Sequence, residues 1–228
     1  MTKVLIYVEG QTEETFIRNL LRPYLLNLCN IYLIPILART KRTKAGQTFK
    51  GGIVSYGKVR KDIINLLGDS SAALVTTMLD FYGLPNDFPG KESLPLGNPN
   101  DRVHHLEEAF AEDINNPRFL PFLVLHEFET FIFVQPQKLA EVLPEHRENV
   151  HRLINNVRRL SPEEINEGEN THPSARIQNL FPNYQKRLHG PLIIQNIGLN
   201  MIRNQCPHFN NWLCKLEDLC SNREGINA

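Results

Sequence analysis

Three groups of acidic residues each follow a short apolar run, and carboxylates so placed can hold a hard divalent cation. Val4-Leu5-Ile6-Tyr7-Val8 leads into Glu9-Gly10-Gln11-Thr12-Glu13. Ala72 to Leu79 leads into Asp80, and Phe119 to Leu125 leads into His126-Glu127-Phe128-Glu129. Oxygen ligands of this kind suit Mg²⁺ or Mn²⁺. Glu9, Glu13, Asp80, Glu127 and Glu129 are therefore the candidate catalytic residues, and Glu9, Asp80, Glu127 and Glu129 the candidate metal ligands, for one or two ions. Two ions ~3.5–4 Å apart stabilise the attacking and leaving oxygens of a phosphoryl displacement. In extended backbone Glu127 and Glu129 share one face, which leaves His126 to orient a ligand or a water from behind. A zinc-protease reading of His126-Glu127 fails, because a His-Glu-x-x-His motif needs histidine where Thr130 stands. Around Glu9, Gly10 allows a tight turn, and Thr12 and Glu13 open a helix whose free N–H groups favour phosphate. Thr12 as a plain N-cap with Glu13 complementing the helix dipole is the simpler alternative for those two residues.

The elements that must bring these groups together are short buried strands. Apolar, β-branched runs bounded by turn or helix signals read as parallel strands, and in open α/β sheets ligands bind beyond the carboxyl ends. The pattern predicts strands at Lys3–Val8, Ile31–Leu37, Ala72–Leu79 and Phe119–Leu125. Helices follow from Thr12, with Pro23 kinking or splitting the first, from Val54 to Leu67, and from Asp101 to Ile114. Tyr82 to Asn100 holds four prolines and three glycines and reads as a long loop beside the site, with Asp87 a solvated turn residue. Beyond residue 145 strand signals fade and helices dominate. The expected architecture is an α/β core over 1–144, with a mostly parallel four-stranded sheet, and a helical extension over 145–228 packed on it.

Composition narrows the setting. The chain has 228 residues, 41% hydrophobic and 22% charged, which is ordinary for a globular protein. Lysine plus arginine number 25 and aspartate plus glutamate 25, so any nucleic-acid contact needs a local basic patch. Arg39, Lys41, Arg42, Lys44 and Lys50 form such a patch in a polar loop, and Lys186 and Arg187 form a second. A lysine or arginine of the later group is also placed to neutralise charge in a phosphoryl transfer. No apolar stretch approaches the ~20 residues that span a bilayer, and the N-terminus enters a strand directly, so the expected location is cytoplasmic. Cys29, Cys206, Cys214 and Cys220 are too sparse for a disulfide framework, and with His208 they lack the paired spacing of a zinc site. They read as structural cysteines.

The Glu9-Gly10-x-Thr12-Glu13 start resembles the first motif of Toprim domains, shared by topoisomerases, primases and overcoming-lysogenization-defect nucleases. More closely, the chain resembles the Toprim-like bacterial family called domain of unknown function 4276. The matching segments are EGQTEE at 9–14, TTMLDFYGLP at 76–85, LHEFETFIF at 125–133, THPSAR at 171–176 and CPHFNNWLCKLE at 206–217. The resemblance implies a Toprim-like fold and metal-dependent cleavage of nucleic acid, in phage or plasmid defence beside an ATPase partner. It carries the Toprim glutamate to Glu9 and the first aspartate of Asp-x-Asp to Asp80. The second aspartate has no counterpart, because Tyr82 stands there, and Glu127 or Glu129 would have to supply the missing ligand. Nucleic acid, an ATPase partner and a second copy of the chain are the partners so implied, with no membrane. The alternative is a degraded Toprim-like subunit that binds without cutting.

Overall fold

Alternation along the first strand sets the two sides of the sheet. In β1 (Thr2–Val8) Val4, Ile6 and Val8 enter one apolar core, and Leu5 and Tyr7 enter another on the opposite face. The structure is a computed structural model and describes residues 1–38, 55–165, 168 and 170–224. β2 (Ile31–Leu37) and β3 (Leu74–Asp80) flank β1, all in parallel. β4 (Phe119–Leu120) and β5 (Leu123–Val124) both pair with β3, also in parallel, giving the order β2-β1-β3-β4. The expected mostly parallel α/β sheet flanked by helices is therefore present, with the carboxyl ends of all its strands on one edge.

The fourth strand is not the continuous run its sequence suggests. Pro121 has no N–H to give the ladder, and the strand breaks between Leu120 and Leu123. Thr77 bridges the gap: its hydroxyl donates to the Phe122 carbonyl and accepts from the Phe122 N–H, both at 2.8 Å. β2 also contains a proline, Pro35, in register with Ile6. Asn30 O accepts from Thr2 N and Ala38 N donates to Val8 O. Even-numbered residues of β2 thus face β1, and Pro35 falls on the outward-facing parity.

The first helix is split. α1 (Gln11–Phe16) passes through a π-helical segment, Ile17–Leu21, into α2 (Arg22–Cys29). The Pro23 nitrogen cannot close an ordinary helical bond, and Arg22 N–H reaches back five residues to Ile17 O. The N-cap is Gly10 rather than Thr12, which lies one turn position inside the helix and is buried. Asn30 ends α2 in the left-handed conformation at φ 52°. α3 (Tyr56–Leu67) and α4 (Pro99–Ile114) cover the Leu5 and Tyr7 face. Asp87 is not merely solvated: its carboxylate accepts from Tyr56 N at 3.1 Å, capping α3 from the loop before α4.

The later helices cover the other face. They are α5 (Leu139–Val142), α6 (Asn149–Val157), α7 (Pro173–Leu180), α8 (Lys186–Ile197), α9 (Leu199–Gln205) and α10 (Pro207–Glu224). Their apolar residues, among them Ile177, Ile194, Phe209 and Leu213, share one core with Val4, Ile6 and Phe16. Trp212 of α10 stacks on Phe122 at 4.4 Å and donates to the buried Thr76 hydroxyl at 2.9 Å. Cys29 and Cys220 are joined by a disulfide, with Cα atoms 5.6 Å apart, which corrects the expectation of unpaired structural cysteines. The 191-residue separation hides this pairing until α10 is packed on α2. No helix among the described residues is long and apolar enough to cross a membrane.

Candidate active site

The parallel strands carry the acidic groups to a common edge. Glu9 follows the last residue of β1, Asp80 is the last residue of β3, and Glu127 lies three residues beyond β5. Glu129 falls in a 3-10 segment, Phe128–Val134, and Glu13 in the first turn of α1. The HEFE backbone is not extended as a whole. His126 takes φ 65° and turns the chain, Glu127 is extended, and the 3-10 turn then begins. A left-handed conformation at a non-glycine residue costs roughly 1–2 kcal/mol. It is held by Tyr82 N donating to His126 O at 2.9 Å and Thr130 Oγ1 donating to Leu125 O at 2.8 Å.

A lysine sits among the carboxylates. Lys186, the first residue of α8, places Nζ 2.8 Å from Glu129 Oε2 and 3.1 Å from Glu127 Oε2. Burial disfavours its charge, but Glu129, Asp80 and Glu127 outweigh that and hold the ammonium firmly protonated. α8 approaches α1 closely because Gly190 faces it: a Cβ there would lie 3.1 Å from the Tyr184 hydroxyl and 3.6 Å from the Thr12 methyl.

The carboxylates differ in what they already hold. Glu127 is saturated. Its oxygens accept from the Ser174 N–H, from Ser174 Oγ at 2.9 Å and from Lys186, and one lies 3.0 Å from His172 Nδ1. Burial alone would raise its pKa, but Lys186 and the Ser174 and His172 contacts lower it below the usual carboxylate value. Ser174 and its N–H belong to the first turn of α7, where a helix favours an anion. Glu129 is fully buried, accepts from the Tyr184 hydroxyl at 3.1 Å, and is pushed up to about 7 by burial despite Lys186. Asp80 accepts from Phe128 N at 3.0 Å, and burial and Glu9 push it well above its ordinary value. Glu13 turns back to accept from Gly10 N at 2.9 Å, and burial raises it too. Glu9 is raised to about 7 by burial and by Glu13, and its buried Oε2 has no hydrogen-bond partner.

This donor set fits a divalent cation. Glu9 offers an unsatisfied oxygen, and Glu9, Asp80 and Glu129 each sit where burial disfavours their charge, which a bound cation relieves. The side chains are not fully gathered for one. Among the described residues, the three ligand-type atoms that all lie within 4.8 Å of one another belong to His104, Glu107 and His208, not to the strand-end carboxylates. Lys186 contacts Glu127 and Glu129 directly and acts on Asp80 and Glu9 through its charge, so an ion at Glu9 and Asp80 would share the site with its ammonium.

Other residues singled out by sequence fall as follows. Thr12 turns its methyl to Gly190. His126 Nε2 lies 3.2 Å from Glu163 O, and burial lowers its pKa to about 4, so the ring is neutral. Arg187 is exposed, one residue from Lys186. Arg39, Lys41, Arg42, Lys44 and Lys50 lie outside the described residues. Cys206, His208, Cys214 and Cys220 do not gather: Cys206 is buried, His208 meets Glu107, Arg203 donates to Cys214, and Cys220 pairs with Cys29. His172, Ser174 and Tyr184 carry no role in the sequence pattern alone, although Thr171-His172-Pro173-Ser174 reads as a helix start, with Pro173 at the first helical position. Tyr82 is half exposed and stacks on His172 at 5.1 Å, beside Glu127.

A family model described as domain of unknown function (DUF4276) matches residues 8–217. No curated protein and no solved structure matches the chain.

Proposed function

The chain belongs to the family of domain of unknown function 4276, and from that premise and the strand-end geometry we propose that it is a divalent-metal-dependent nuclease. The observation that carries the reading is Glu9 beside Asp80 at the ends of adjacent parallel strands, with Glu9 Oε2 buried and unpartnered. Glu9 and Asp80 would hold Mg²⁺ or Mn²⁺, and Glu129 would join them where Lys186 leaves it for the substrate phosphate. A bound ion supplies an activated water and neutralises developing charge on phosphate. Lys186 presents an ammonium to the same phosphate, in the role of a preorganised cation. Glu127, fixed by Ser174, His172 and Lys186, positions that ammonium. Glu13, which is not among the proposed ligands and which burial raises, can accept a proton from the attacking water. The likeness of Glu9 and Asp80 to the Toprim acidic residues supports the same chemistry, as does the setting the resemblance implies, phage or plasmid defence with an ATPase partner.

A second reading rests on Glu127 and Tyr82. Glu127 has its oxygens taken by protein donors, and Tyr82 stands where a Toprim domain has its second aspartate. On that reading the chain binds nucleic acid or an ATPase partner without cutting. One experiment separates the two: cleavage of single-stranded DNA, duplex DNA and RNA by the full chain with Mn²⁺, alongside Mn²⁺ titration calorimetry. Cleavage that vanishes in Glu9→Gln and Asp80→Asn supports the nuclease. Mn²⁺ binding without cleavage of any substrate favours the second reading, and wild-type cleavage by both variants overturns the site.

A further inference from the structure

A separate cluster of metal-type ligands lies on the flank of the sheet, where α10 meets α4. His104 and Glu107 are three residues apart on α4 and so share a face. His208 is the second residue of α10. His208 Nε2 is 3.0 Å from Glu107 Oε1, and His104 Nδ1 is 3.7 Å from Glu107 Oε2. One ligand atom from each residue lies within 4.8 Å of the other two.

Two of the three side chains are built into place. His208 is buried, and its ring stacks on Phe122 at 5.2 Å, itself stacked on Trp212. The start of α10 is fixed by Glu163, whose carboxylate accepts from the N–H groups of His208 and Phe209, both at 3.1 Å. Glu107 Oε1 accepts from Leu123 N at 2.8 Å, which orients its carboxylate. His104 is more than half exposed and is the ligand free to swing. A cavity of about 20 Å³ lies among His104, Glu107, His208, Leu120 and Lys215, which is room for one water or one ion.

We propose that His104, Glu107 and His208 form a zinc-class metal site that clamps α10 to α4, distinct from the strand-end carboxylates. Two imidazoles and a carboxylate suit Zn²⁺ and Co²⁺ better than Mg²⁺. Tetrahedral zinc with bonds of ~2.0–2.1 Å separates its ligand atoms by about 3.3 Å. His208 meets Glu107 Oε1 at 3.0 Å and His104 meets Oε2 at 3.7 Å, and the three ligand atoms lie within 4.8 Å of one another. Closure on one ion therefore needs a movement of up to about 1.5 Å, from 4.8 Å to the tetrahedral spacing, made by the exposed His104 ring. A water from the solvent side, where His104 is exposed, would be the fourth ligand. The plain competitor is a buried Glu107–His208 hydrogen bond with His104 a bystander.

The test titrates chelator-stripped full chain with Zn²⁺ by calorimetry and with Co²⁺ by visible absorption. It compares wild type with His104→Ala, Glu107→Gln and Glu9→Gln, and far-UV circular dichroism confirms that each is folded. Glu107→Gln keeps an acceptor for Leu123 N. The expected result is a Zn²⁺ site in wild type that is kept in Glu9→Gln, with a tetrahedral Co²⁺ band. Binding should weaken by more than about tenfold in His104→Ala, the low end for disturbing a metal's surroundings. Absence of saturable Zn²⁺ binding in wild type overturns the proposal. So does equal binding by wild type and His104→Ala. Zn²⁺ binding lost in Glu9→Gln and kept in His104→Ala would assign the ion to the strand ends instead.

Discussion

Replacing Lys186 with methionine isolates what its charge does, because methionine keeps most of the apolar stem that lysine lays along α8. The ammonium lies 2.8 Å from Glu129, which is fully buried, and 3.1 Å from Glu127. Removing one partner of a buried ion pair costs about 3–5 kcal/mol. Lys186 is 38% exposed, so solvent screening reduces the cost to about 2–3 kcal/mol. The loss depends on pH with a definite sign. Without Lys186 the folded-state pKa values of Glu127 and Glu129 rise, so the folded variant binds more protons than the unfolded chain above the ordinary carboxylate pKa. Stability then falls as pH rises until those groups ionise. Near pH 5 Glu129 is protonated in the wild type as well, since its pKa is about 7, and only the Glu127 contact is lost. Urea unfolding of wild type and Lys186→Met, in chelator, should show a small difference near pH 5 and the full difference near pH 8. A deficit equal at both pH values would refute the electrostatic account and leave only stem packing. Mn²⁺ added near pH 8 should return part of the loss.

The wild type should itself show the site's charge strain. Glu9 and Glu129 have folded pKa values raised to about 7, so the metal-free protein should lose stability between about pH 5 and pH 7. The upper bound is about 3 kcal/mol for each group, and a flat profile in chelator would count against their burial. Glu9→Gln should keep or raise metal-free stability at pH 8 in thermal melts, while Mn²⁺ affinity by calorimetry and cleavage both drop at least about tenfold. Gly190→Ala should destabilise despite a helix-propensity gain of about 1 kcal/mol, because the new methyl meets the Tyr184 hydroxyl at 3.1 Å. The check is a melt paired with Tyr184→Phe, in which the penalty should shrink. Trp212→Phe should lose about 1–2 kcal/mol in urea, as the Thr76 hydroxyl forfeits its donor at the centre of the sheet.

The sheet and its acidic edge were legible because buried parallel strands write themselves as short apolar runs. β2 falls on Ile31–Leu37 as read, and Glu9 and Asp80 fall at strand ends for the same reason. The third acidic group was legible in place and not in shape. Its φ of 65° at His126 answers to Tyr82 and Thr130, contacts that no local pattern encodes. Pro121 broke the fourth strand, and the remedy, the Thr77 hydroxyl, lies 45 residues away. The groups that decide the electrostatics were harder still. Lys186 read as a phosphate contact or as a cation for phosphoryl transfer, but no local pattern places it among the carboxylates, where it is drawn inward because Gly190 lets α8 approach α1. Ser174, His172 and Tyr184 reach the site only when α7 and α8 fold back over the strand ends. The clamp between His104, Glu107 and His208 joins residues 101 positions apart and was invisible for that reason.

The outer side of β2 bears on how copies of this protein can meet. An unpaired strand edge is a template on which a second chain can extend the sheet. Here Pro35 faces outward and offers no N–H at all. Two residues earlier the Leu33 carbonyl is occupied by Arg22 Nε at 2.8 Å, with the guanidinium resting 4.8 Å over the Tyr32 ring. One rung lacks its donor and the next has its acceptor covered. Arg22 and Pro35 thus discourage fibre-like growth at these two rungs. Among the described residues, backbone templating along this border is interrupted at two successive rungs.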